Sequence, residues 1–203
     1  FHGGEVLEKR KISEFVRFVP GINPTRARKQ YGTDEINYYD QAAFERDYNH
    51  KHGFVEEEII ENIPAGLALQ KGDVVISNSM QLATMVGEAN AGKVPSLNFT
   101  KVEFCDDRLD KRYFIYLFNS YRDIKRQKER ELQGNGPILR IPIKSLKKLE
   151  IPVISLGKQA KIGRAYIETL KLQAKLNTYG KLVGEFTERI LEESIIKEKK
   201  DEK

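Results

Sequence analysis

The sequence predicts an α+β fold. Residues 1–157 read as a globular domain with a mixed or antiparallel sheet and flanking helices, and residues 158–203 as a long C-terminal coiled-coil helix with a frayed tail. Three observations predict it. A short β-branched run, Val74, Val75 and Ile76, follows the tight-turn signal Lys71-Gly72-Asp73. The stretch 108–132 places Tyr113, Tyr116, Leu117 and Ile124 near a 3.6-residue period among Lys and Arg. From Ala160 onward, positions 162, 165, 169, 172, 176, 179, 183, 186 and 190 advance in alternating steps of three and four, which is a heptad seam.

Each element follows in order. Residues 5–19 read as a short helix or turn and then a strand, ending in Phe15, Val16, Phe18 and Val19. Residues 20–32 hold two prolines and two glycines and read as a loop. A strand is expected at 35–40, while 54–63 fits strand or helix and is closed by Pro64 and Gly66. The turn and buried strand at 67–77 lead to strands at 82–86 and 102–105, separated by a Gly/Ala/Asn loop. One helix is expected over 108–132, broken by "QGNGP" at 133–137. Two short strands, at 138–141 and 151–154, flank a single helical turn. Pro142 and Pro152 suit edge or terminal strand positions, because proline cannot donate to a ladder. Gly157 punctuates, and Lys158 begins the arm.

An arm of roughly thirty residues would run about 45 Å. Its seam comprises Ile162, Leu172, Leu176, Tyr179, Val183, Phe186 and Ile190, with Ala165 and Thr169 between. Gly163, Gly180 and Gly184 each weaken the helix by about 1 kcal/mol relative to alanine. A helix with one apolar stripe needs a neighbour. That neighbour is another copy, a related chain, or the helix's own domain.

Composition excludes several classes. Of 203 residues, 39% are apolar, which is enough for a core, and the net charge of +5 is modest. Residues 1–157 carry 24 Lys/Arg against 22 Asp/Glu, and the remainder 11 against 8, so bulk charge alone announces no polyanion partner. No run of eighteen apolar residues exists, so no membrane span is expected. Cys105 stands alone, which precludes an internal disulfide and fits a cytoplasmic setting. "NAGKVPS" at 90–96 lacks the first glycine and the hydroxyl of a phosphate loop. His50 and His52 have no third ligand nearby, so no metal site is expected. The carboxylates of "EEEIIE" at 56–61 read as a solvated face. No catalytic constellation is found.

The positive signal is basic and amide residues in loops. Arg26, Arg28 and Lys29 share a Pro/Gly loop, and Arg122, Lys125, Arg126, Lys128 and Arg130 lie late in the 108–132 helix. Asn78, Ser79 and Gln81 follow the buried strand, with Lys93, Ser96 and Asn98 beyond, and Asn135 lies in the helix break. Arg and Lys contact phosphates and guanine edges, while Asn and Gln can pair with adenine. Any one cluster taken alone reads as solvated surface. Together they nominate double-stranded DNA.

Four stretches in this order resemble the DNA specificity subunit of type I restriction-modification systems. They are "KISEFVRFVPGINPTR", "LQKGDVVIS", "LDKRYFIYLFNS" and "IPIKSLKKLEIPVISLGKQAKI". The last is the most specific, since its Ile-Pro and Gln-x-x-Ile spacing leads into the long helix. Val153-Ile154-Ser155 departs from it where the family commonly has a second proline, and Gly157 is unusual. The resemblance implies a half-length subunit with one target recognition domain (1–157) and one spacer and dimerisation helix (158–203). Such a subunit would be non-catalytic. It would read one half of a split DNA target and pair through the helix with a second copy or a second half-subunit. It would dock methyltransferase subunits, which carry S-adenosylmethionine, and a motor-nuclease restriction subunit. This chain itself would bind no cofactor. Two other readings stay open: a recognition module from a fused restriction-methyltransferase, and an interaction-only oligomerisation protein.

Overall fold

The structure, a computed structural model, describes residues 8–23, 25, 29, 36–50, 68–133 and 140–201, with side chains to Ile196. Its first elements are β1 (Lys9–Lys11), β2 (Val16–Pro20), β3 (Tyr38–Tyr39) and α1 (Gln41–Tyr48). β4 (Val74–Ser77), β5 (Leu82–Met85), β6 (Val94–Pro95) and β7 (Phe99–Phe104) follow. Then come α2 (Lys111–Ser120), α3 (Arg122–Arg130), α4 (Ile143–Leu146), β8 (Glu150–Pro152) and α5 (Leu156–Asp201).

The central sheet has the order β2-β7-β4-β5 with every pairing antiparallel. β4 is buried along its whole length, which explains its unbroken apolar run. Its side chains alternate between faces. Val74 and Ile76 pack with Phe15, Phe114 and Phe118 under α2, while Val75 packs with Tyr39, Phe44 and Phe99 under α1. Two-stranded pairs complete the sheet structure, β3 with β6 in parallel and β1 with β8 antiparallel. The second pair ties the chain's start to the segment that leads into the arm.

The β5 edge of the sheet is closed at Ala83 by one side chain. Asn119 accepts from the Ala83 backbone N–H at 2.7 Å and donates to the Ala83 carbonyl at 2.8 Å, standing in for a neighbouring strand. The start of α5 is fastened in a similar way. Gln159, 1% exposed, donates to the carbonyls of Ile154 (2.7 Å) and Arg108 (2.9 Å) and accepts from the Asp110 N–H at 3.0 Å. One turn on, a Cβ at Gly163 would lie 2.6 Å from the Tyr113 nitrogen, so only glycine lets α5 approach α2 this closely. Tyr166 then stacks edge-on to Tyr116 and its hydroxyl meets Ser120 at 3.0 Å.

Several expectations are corrected. The single helix over 108–132 is two helices. Tyr121 is extended (φ −68°, ψ 122°), and no glycine or proline marks the break. The turn swings α3 so that Ile124 enters the core and Lys128 reaches back over Phe118. Helix α1 follows directly on the expected 35–40 strand, of which Tyr38 and Tyr39 pair; Asp40 caps α1, its carboxylate accepting from the Ala43 N–H at 2.9 Å. Pro142 caps α4 and is not in a strand, whereas Pro152 is the last residue of β8. Of the strand expected at 138–141, Arg140 makes an isolated bridge to Gln133, and 138 and 139 lie outside the described residues. The arm is longer than expected. α5 spans 46 residues, beginning at Leu156 with Gly157 inside its first turn.

Candidate nucleic-acid interface

Four chain segments meet at one end of the central sheet. The turn 78–81 joins β4 to β5, and the turn 96–98 joins β6 to β7. The Asn78 N–H donates to the Asn98 carbonyl at 2.8 Å, which links the two turns through backbone. The exit of β2 passes against the second turn. Ile22 pairs with Ser96, and a Cβ at Gly21 would lie 2.0 Å from the Ser96 carbonyl oxygen, so glycine is obligatory there. Arg140 arrives last and donates to the Asn98 side-chain carbonyl at 2.8 Å.

Side chains lock this arrangement. The Asn78 amide accepts from the Thr100 hydroxyl at 2.9 Å and donates to the Leu97 carbonyl at 3.3 Å. The buried Ser77 hydroxyl lies 3.3 Å from that of Ser79 and accepts from the Met80 N–H at 3.3 Å. Gln81 holds the left-handed conformation (φ 55°), uncommon for a residue with a Cβ. Its carbonyl is held by Lys128, whose ammonium donates to Gln81 at 2.8 Å and to Phe118 at 2.6 Å, 4.1 Å from the Phe118 ring centre. Lys128 is only 5% exposed. Burial, with repulsion from Lys125, pulls its pKa down from 10.5 to about 8 against the attraction of Glu129.

The sequence candidates distribute as follows. Asn78, Ser79, Gln81, Ser96 and Asn98 are gathered in the two linked turns. Lys29 is exposed on the chain beyond Ile22, while Arg26, Arg28 and Asn135 lie outside the described residues. Lys93 is buried at 7% exposure, and its backbone carbonyl accepts from Leu69 at 2.9 Å. Arg122, Lys125 and Arg126 are exposed on α3, two to six residues before the Lys128 that touches the 78–81 turn. Near the start of α3, Asp123 pairs with Lys9 at 2.5 Å, which holds its carboxyl below the usual range. Sequence reasoning named Lys128 only within the basic cluster of the 108–132 helix and missed Arg140 as a member of this end, because long-range approach leaves no local signal. It also passed over Met80 and Leu97, which stand at the turn tips at 40% and 49% exposure.

A second surface lies along α5. Gln159, Gly163, Tyr166, Ile167 and Leu170 face the globule, which is one side of the helix. The seam residues lie on another side and are uncovered: Leu172, Leu176, Tyr179, Val183 and Phe186 are 57–66% exposed, Ile190 46% and Ile162 37%. No described helix is long and apolar enough to cross a membrane, and no group of three metal-ligating side chains occurs among the described residues.

No family model matches the chain, and neither does any curated protein at a significant level. Solved structures do. The HsdS subunit from Thermoanaerobacter tengcongensis aligns at TM-score 0.53 and 16% identity, over 87% of this chain and 40% of that one. A chain from a structure describing complex assembly and conformational transition of the type I R-M system aligns at TM-score 0.53 and 14% identity, over 87% and 41%. The type I restriction-modification S subunit from M. genitalium aligns at TM-score 0.45 and 15% identity, over 81% and 40%. The chain therefore spans about two fifths of the length of each. With identities this low the likeness is one of fold: an α+β domain that runs into a long C-terminal helix, as in the S subunit of T. tengcongensis.

Proposed function

We propose that the chain is a non-catalytic DNA sequence-recognition subunit of a type I restriction-modification enzyme. Residues 1–157 read one half of a split target, and residues 158–203 space and pair the readers. Methyltransferase subunits carrying S-adenosylmethionine and a motor-nuclease subunit dock on the assembly, which works in the cytoplasm. The observation that carries this reading is the braced sheet end. Its two turns, the β2 exit and Arg140 present amides, hydroxyls and a guanidinium, and residues 78–81, 96–98, 21–23 and 140 include no carboxylate. An acid-free, hydrogen-bonding loop cluster on a rigid sheet suits a polyanion with readable edges. The fold likeness supports it.

The uncovered stripe of α5 by itself would equally suit an interaction-only oligomerisation protein. A salt titration of duplex DNA binding separates the two. A DNA reader loses about tenfold or more in affinity between roughly 50 and 200 mM salt. Absence of salt-dependent binding, both alone and with a methyltransferase subunit, favours the interaction-only reading.

A further inference from the structure

Among the described residues before α5, Met80 and Leu97 are the large apolar side chains that stand exposed, at 40% and 49%. Single exposed apolar residues are ordinary. These two differ in being the tips of adjacent turns whose asparagines, Asn78 and Asn98, are engaged inside the protein. Asn78 uses both ends of its amide, on Thr100 and on the Leu97 carbonyl, and the Asn98 carbonyl is occupied by Arg140. Met80 is steadied as well, its sulfur 3.0 Å from the Gln41 amide nitrogen. These amides thus act as braces that fix the two apolar tips, which this end presents beside its remaining polar groups.

We infer that Met80 and Leu97 are specificity-determining residues that read thymine through apolar contact with its C5-methyl group in the major groove. The inference rests on the DNA-reading role proposed above and names part of its chemistry. The major groove is the place where a methyl group distinguishes T·A from the other pairs. Arg140 beside the tips supplies a cation for the flanking phosphate or a guanine edge. A braced turn also holds its tip in place before binding, so little ordering is lost on contact.

The test is a selection from a randomised duplex library, with the full chain, Leu97→Ala and Met80→Ala, each run on thymine-containing and deoxyuridine-containing DNA. Both side chains are well exposed, and circular dichroism verifies that the variants fold. Wild type is expected to prefer T·A at one or two positions by about fourfold more than the deoxyuridine library allows, the value of burying one methyl-sized group. Each variant is expected to lose that preference at one position and to keep the rest of its selected pattern. Identical base preferences in wild type and both variants, or a wild-type pattern indifferent to the methyl, overturn the inference while leaving DNA reading intact. That outcome would also fit a protein partner seated on the tips. Failure of wild type to enrich any sequence overturns the DNA-reading role and this inference together.

Discussion

Gln159 shows how one buried amide can set the start of a long helix. All three of its hydrogen bonds run to backbone groups of the segments that lead into α2 and α5. Gln159→Leu leaves two carbonyls and one N–H unpaired in a buried site and is expected to lower stability by about 2–4 kcal/mol, read by urea denaturation. A loss below half a kcal/mol would show that the amide is not a fastener. Lys128 is the titratable counterpart at the sheet end. Its folded pKa of about 8 lies below the ordinary 10.5, so between these values the unfolded chain holds a proton that the folded chain has released. Stability therefore rises with pH through that window as far as this residue is concerned. Tyr39, Tyr48 and Tyr113 are pushed upward by burial and oppose it only above about pH 10. Wild type measured against Lys128→Met is expected to gain stability from pH 7.5 to pH 9.5, and a constant difference would contradict the buried ammonium. Gln159 was legible in the sequence as part of a Gln-x-x-Ile spacing, but its partners were not. Lys128 was legible only as one basic residue among several, because burial of a lysine depends on the turn at Tyr121, which no residue type announces.

At the scale of elements, the sequence was most readable where a period ran long. The β4 run needed only its unbroken β-branched residues after a tight-turn signal, and the α5 seam only heptad spacing. Helix α1 was missed: its sequence, Gln41–Tyr48, is polar enough to pass for loop, and its Asp40 cap was the available signal. The seam itself divides into two regimes. Up to Leu170 one side of α5 is held by the globule, and beyond Ala174 every described side chain is exposed. The side facing the globule is not the seam. Leu176 and Val183, at 60% and 65% exposure, sit on the part of α5 where every described side chain is exposed. Val183→Glu is thus expected to abolish self-association or pairing with a second half-subunit, measured by sedimentation, with the thermal transition of the globule unchanged. A variant that keeps its oligomeric state would show that the stripe is not a pairing surface.

For the whole molecule, the layout joins the braced sheet end, proposed as the reading end, to a long helix. The 46 residues of α5 give a rod of about 69 Å. Two such rods packed side by side would hold two sheet ends at a fixed separation, and a two-fold pair would read an interrupted palindrome. The fold class and the arm were legible from periodicity. The reading end was legible only in part. Residue type nominated Asn78, Gln81, Ser96 and Asn98, but their convergence came from sheet register and the close passage at Gly21, and their engagement in braces came from neighbours far along the chain. The most direct test is to map methylated adenines in a host free of other modification systems, expressing the chain with its methyltransferase partner. The account predicts new methylation at an interrupted palindrome if two copies pair, or at an asymmetric split site if a different half-subunit does. No new methylation, with the subunits folded and co-purifying, would contradict it.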